Sequence, residues 1–147
     1  MNRRTWLKSA AILTGAFALL PLRALAALWN KPAFEATESE TALAALNANQ
    51  PQPSEQITIV APDFAENGAI VQIEVESLIP GTEAIALLGE KNPTPLIANF
   101  MFSNGAQPKL VTRIKLAETG MLKVVVKAGN KYYEASKEVK VSLGGCG

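Results

Sequence analysis

The sequence predicts an all-β sandwich of about seven strands preceded by one short N-terminal helix, and three observations carry that prediction. Short runs rich in Ile and Val recur from Gln56 onward, separated by turn residues at the spacing of a sandwich. Apolar and polar residues alternate within those runs, which turns one face of each strand toward a core and the other toward water. A single segment near residue 40 has instead the spacing of an amphipathic helix.

That helix comes first. Thr37-Glu38-Ser39-Glu40 has the spacing of a capping box and precedes Ala42, Leu43, Ala45 and Leu46, predicting a helix over 38–47 whose apolar stripe docks on the domain. Residues 49–54 hold Pro51 and Pro53 and read as a linker.

The strands are predicted at 56–61, 69–77, 83–89, 95–103, 109–117, 120–128 and 131–143. In the second, Val71, Ile73 and Val75 oppose Gln72, Glu74 and Glu76. In the fifth, Leu110, Ile114 and Leu116 oppose Val111, Arg113 and Lys115. In the sixth, Leu122, Val124 and Val126 oppose Lys123 and Lys127, and in the last the inward row is Val139, Val141 and Leu143 against Glu138, Lys140 and Ser142. Between strands, Asn67-Gly68 reads as a tight turn that needs positive φ. Asn92-Pro93-Thr94-Pro95 reads as a rigid connection or the start of an edge strand, because proline cannot donate to a ladder. Of Tyr132 and Tyr133, one is expected in the core and one on the surface. Phe100 and Phe102 are expected in the core or at a subunit contact.

The first 26 residues differ in kind. They contain Arg3, Arg4, Lys8 and Arg23, no acid, and an apolar run from Ala10 to Leu20 that is short for a membrane span. Ala24-Leu25-Ala26 has the small-x-small pattern of a signal-peptidase site, so cleavage is expected between Ala26 and Ala27. Arg3-Arg4-Thr5-Trp6-Leu7-Lys8 resembles a twin-arginine export signal, with Trp6 where Phe is usual. An ordinary secretory signal with paired arginines is the alternative. Either way the mature chain is exported, to the periplasm by the twin-arginine reading.

Loss of the leader changes the charge. Four of the 14 basic residues leave with it, so 10 remain against 13 acidic residues, a net of −3. That mildly acidic chain lacks the basic face nucleic-acid binding requires. The remaining 121 residues suit one domain, divided as 27–54 helix and linker, 55–143 sandwich and 144–147 tail.

The tail is Gly144-Gly145-Cys146-Gly147, and Cys146 is the sole cysteine. An exported chain with one thiol cannot close an internal disulfide, so Cys146 is free, joined to another molecule or covalently modified. The chain has no histidine, which removes the usual general base, the commonest transition-metal ligand and every Ser-His or Cys-His dyad. A self-contained hydrolase is thereby disfavoured, and so is a copper or zinc site, for which Met101, Met121 and carboxylates are a poor donor set. The glycines predict a mobile tail on a last strand held in register by its inward row, with Cys146 reaching on the order of 10 Å beyond the sheet.

Taken together, the twin-arginine-like leader, Ala61-Pro62-Asp63, Glu66-Asn67-Gly68-Ala69, Glu90-Lys91-Asn92-Pro93 with Pro95, and Gly144-Gly145-Cys146-Gly147 resemble the SoxY family of sulfur carriers. The resemblance spans the chain from leader to tail, and the tail is its most specific motif. It implies an immunoglobulin-like antiparallel sandwich that pairs with a second sandwich subunit, SoxZ. It also implies that Cys146 carries the cargo. In that family a c-type haem enzyme joins thiosulfate to the tail cysteine as an S-thiosulfonate. A manganese-dependent hydrolase then releases sulfate, and where present a molybdenum-haem dehydrogenase oxidises the remaining sulfane sulfur. This chain is then expected to be a carrier and not an enzyme, to bind no cofactor, to bind no nucleic acid and to have no stable membrane anchor. The haem, manganese and molybdenum are expected in partner enzymes. The residues leave three other readings open: an exported structural domain that uses Cys146 for an intermolecular disulfide, a thiol redox enzyme, and a carrier that activates a terminal Gly-Gly as thiocarboxylate. The sequence does not reveal which face meets the partner subunit; the edge around residues 92–102 is one candidate.

Overall fold

The computed structural model describes residues 30–142. They form two short helices, α1 (Lys31–Glu35) and α2 (Ser39–Ala45), and nine strands. The strands are β1 (Gln52–Pro53), β2 (Ile57–Val60), β3 (Phe64–Ala65), β4 (Val71–Ser77), β5 (Thr82–Gly89), β6 (Leu96–Met101), β7 (Lys109–Ile114), β8 (Gly120–Ala128) and β9 (Lys131–Val141). All seven expected strands are present. Among the described residues no helix is long and apolar enough to cross a membrane.

The strands make a sandwich. The larger sheet runs β1-β9-β8-β5-β6, with β3 also paired to β9, and the smaller runs β2-β4-β7. Alternation decides what lies between them. Ile85 and Leu87 of β5, Leu122, Val124 and Val126 of β8, and Val139 and Val141 of β9 meet Ile57, Val71, Ile73, Val75 and Ile114 of the facing sheet. Burying each such side chain stabilises the fold by roughly 1.5–3 kcal/mol.

The larger sheet is buried on its other face too. Ala86, Leu88, Leu96 and Val125 lie beneath Ala33, Ala36, Ala42, Leu43 and Ala48 from the helical segment. This explains why β5 and β8 contain unbroken apolar stretches, since a strand covered on both faces has no wet side to alternate with. The helix stripe Ala42, Leu43, Ala45 and Leu46 docks as expected.

Several expectations are corrected. The described residues hold two helices, α1 being an extra five-residue turn that buries Ala33. Thr37 does not cap α2: the N-cap is Glu38, with no side-chain capping bond. The segment read as a linker contains β1, which pairs in parallel with β9 at Gln52↔Tyr133 and Pro53↔Glu134. Together with β3, also parallel to β9, it departs from all-antiparallel pairing. Neither tyrosine is a surface residue: Tyr132 is half-buried against the helical layer and donates its hydroxyl to Leu46 O at 3.1 Å, while Tyr133, also half-buried, packs on the opposite face against the inter-sheet core. Phe100 and Phe102 are half-buried against that core.

Asn67-Gly68 turns without positive φ at either residue. Asn67 Oδ1 accepts from Ala69 N at 2.9 Å and Asn67 O accepts from Ile70 N at 3.3 Å, an Asx-type turn. Glycine is needed at 68 for close approach: a Cβ there would run into the carbonyl oxygen of Leu116 and come within 2.6 Å of Val141 Cγ1.

The proline turn before the edge strand β6 is stapled to the body. Asn92 Nδ2 donates to Lys115 O at 2.8 Å, and Asn92 Oδ1 accepts from Ala117 N at 2.8 Å. An Asn92→Ala chain should lose about 1–2 kcal/mol, because both backbone groups lose their partner. Thermal melting should register this as a fall of roughly 5–10 °C.

Candidate functional site

The residues singled out for chemistry, Cys146 with Gly144, Gly145 and Gly147, lie outside the described residues, as do Leu143 of the last inward row, Arg3 and Arg4 of the export signal, and the Ala26–Ala27 junction. What the structure describes is the platform from which the tail departs.

That platform is the C-terminal end of β9, and it is held on both edges. On one side β8 pairs with β9 from Ala128↔Lys131 to Gly120↔Val139. Thr119, just before β8, extends the hold two residues further along β9: its Oγ1 accepts from Val141 N at 2.9 Å and its hydroxyl lies 3.3 Å from Val141 O. On the other side β3 pairs in parallel at Phe64↔Lys140 and Ala65↔Val141. Lys140 N donates to Asp63 O and Ser142 N to Ala65 O, each at 3.0 Å. Val139 and Val141 meanwhile point into the core. Hydrogen bonds therefore fix the backbone as far as Ser142, the last described residue.

Around this end lie charges of both signs. Lys137 Nζ pairs with Asp63 Oδ1 at 3.0 Å and also donates to Ala61 O. Such exposed pairs are worth about 0–1 kcal/mol and here trim the position of the β2–β3 connection. The cations whose pKa is raised sit at the opposite end. Lys109 is raised by the hydrogen bond it donates to Glu74 and then by the charges of Glu74 and Glu76, and Lys127 by the one it donates to Glu83. An open groove also lies at that far end, lined by Leu78, Pro80, Thr82, Phe102 and Pro108 among others. Neither feature bears on the tail. Among the described residues no group of three or more acidic, His or Cys side chains is placed to hold a metal ion.

Two large apolar side chains stand in water at the tail end. Phe64 is 57% exposed in β3, beside Lys140, and Ile70 is 61% exposed in the turn that packs on Val141 through Gly68. Sequence reasoning missed both. Phe64 lies in a two-residue strand without periodicity, and Ile70 falls inside the strand expected over 69–77. Thr119 was missed as well; a lone Thr before a strand carries no signal that its hydroxyl will bridge another strand's end.

The family described as sulfur oxidation protein SoxY matches residues 43–146. A structure of the sulfur carrier protein SoxY from Chlorobium limicola f thiosulfatophilum is similar, at 41% identity and a TM-score of 0.63, covering 69% of this chain and 94% of that one. A human F-spondin reeler domain is similar at 11% identity and a TM-score of 0.41, covering 63% of this chain and 93% of its own. No curated protein matches the chain.

Proposed function

Because the chain belongs to the SoxY family of sulfur carriers, we propose that it holds thiosulfate-derived sulfur covalently on Cys146 in the periplasm and presents it to the enzymes of thiosulfate oxidation. The observation that carries this reading is the platform: the backbone is tied down through Ser142, and the sole cysteine follows four residues later, between glycines. The family match extends to residue 146, which includes that cysteine.

The chemistry asks little of this chain beyond display. Loading is an oxidation: the Cys146 thiol and thiosulfate form a sulfur–sulfur bond, releasing one proton and two electrons, which the c-type haem of a conjugating enzyme accepts. Release is a hydrolysis: water attacks the terminal sulfonate, sulfate departs with one proton, and a persulfide stays on Cys146. A manganese-dependent hydrolase carries out the second step, and a molybdenum-haem dehydrogenase, in hosts that have one, oxidises the persulfide further. Each step needs a redox centre, a Lewis acid or a general base. A chain without histidine is poorly furnished for any of these, so the catalytic groups belong to partners. A SoxZ-like sandwich subunit travels with it through the twin-arginine pathway signalled by Arg3 and Arg4.

Intact-mass measurement on the protein taken from thiosulfate-grown host cells tests the reading. Additions of sulfur or thiosulfate mass, confined to the C-terminal peptide, are expected. A chain found only unmodified or as a disulfide-linked pair overturns it.

A further inference from the structure

Five residues follow Ser142, and Cys146 is four steps along them. At about 3.3–3.6 Å per residue, its Cα can lie no more than about 14 Å from that of Ser142. An enzyme that takes the thiol into a pocket must therefore bring the pocket's mouth down onto the surface around Ser142. Beside the Lys137–Asp63 pair, that surface also presents large apolar side chains. It carries Phe64 at 57% exposure, next to Lys140 in register, and Ile70 at 61%, in the turn against Val141.

We infer that Phe64 and Ile70 form a docking collar for the catalytic subunits that process Cys146, recognised by an apolar rim at the mouth of their thiol-binding pocket. The inference rests on the carrier reading and adds a recognition surface to it. Tail length selects the occupant, since whatever grips Cys146 covers this end. Position selects the residues: among the described residues the other exposed large apolar side chains lie elsewhere. Leu78 and Met101 are at the far end, Met101 opposite Ala84, and Val60 and Val111 flank Glu74 on the outer face of the smaller sheet. A collar of two side chains has a physical rationale in a carrier. Ordering a glycine-rich segment costs backbone entropy at each residue, and apolar contact at the base offsets part of that cost for every enzyme visited while leaving the complex weak enough to part.

The test compares wild type with a Phe64→Ser/Ile70→Ser double variant, each as the full chain purified with any subunit that accompanies it. Thiosulfate conjugation by the host's haem enzyme is measured over a range of carrier concentration. The expected result is a KM for the carrier raised about tenfold, kcat at saturation within twofold of wild type, and unchanged alkylation of Cys146 by iodoacetamide. Leu78→Ser and Met101→Ser should leave all three unchanged. Ile70→Ser alone, outside any strand, is expected to raise KM about threefold and serves if the double variant melts early. An unaltered KM, an equal rise in the far-end variants, or a loss of assembled size showing that a subunit or second copy covers these residues would each overturn the collar while leaving the carrier reading in place. Failure of wild type itself to become loaded would overturn both.

Discussion

A Cys146→Ser chain incubated with thiosulfate and the host's conjugating enzyme will gain no mass, while wild type gains that of one thiosulfate group. The loss is complete, because the bond proposed to hold the cargo joins two sulfur atoms and a serine oxygen cannot supply one. No other residue can substitute: Cys146 is the single cysteine, and the three methionine thioethers have no proton to lose. A merely weakened site would show a residual adduct at long times or high enzyme; an absent attachment atom shows none. Thermal melting of the variant checks that the sandwich is intact, and residue 146 lies beyond the strand ladder whose last pair is Ala65↔Val141. An adduct persisting on the serine variant would move the attachment elsewhere and sink the carrier assignment.

Gly68→Ala is expected to cost about 3 kcal/mol, the upper part of the range for overpacking. In a domain of this size that corresponds to a fall in Tm of roughly 10–15 °C. The added methyl meets two neighbours that cannot step aside cheaply. One is the main-chain oxygen of Leu116, in a segment already fixed by the Leu116 N to Gly68 O bond of 2.8 Å and by the Asn92 clamp. The other is Cγ1 of Val141, a branched side chain with few rotamers to choose from. Because Val141 is the last residue of β9, the strain is delivered to the base of the tail. Amide exchange at Val141 and Ser142 should accelerate more than at Leu87 or Val124, deep in the core. A variant melting like wild type would contradict the close approach.

Most of the framework was legible in the chain because alternation is a local signal. Val71-Gln72-Ile73-Glu74-Val75 declares a half-buried strand by itself, and the pairing that uses it need not be known. What escaped has a common cause. β1 and β3 are two residues each, too short for any period, and exist because β9 offers a free edge nearly eighty residues away in sequence. Pro53 argued against a strand, yet it sits at an outer edge where its missing donor goes unnoticed. The pattern Thr37 to Glu40 satisfied a capping rule by composition, but the helix starts one residue later and leaves it unused. Asn67-Gly68 was recognised as a turn for a conformational reason, whereas the actual demand on Gly68 is space, which only the approach of two distant segments creates. At the site the same division holds. The cysteine was conspicuous by being alone, but Thr119, Phe64 and Ile70 acquire their roles from neighbours across the fold.

The two flanks of β9 have a mechanical consequence. A tail drawn into an enzyme and later withdrawn, as the proposed function requires, would transmit tension along the axis of its parent strand. Because bonds to β8, β3 and the Thr119 hydroxyl lie across that axis on both margins, the load falls on many of them together in shear, and they do not peel away one at a time. Under the proposed function, repeated capture and release would thus tug on the chain without unravelling it.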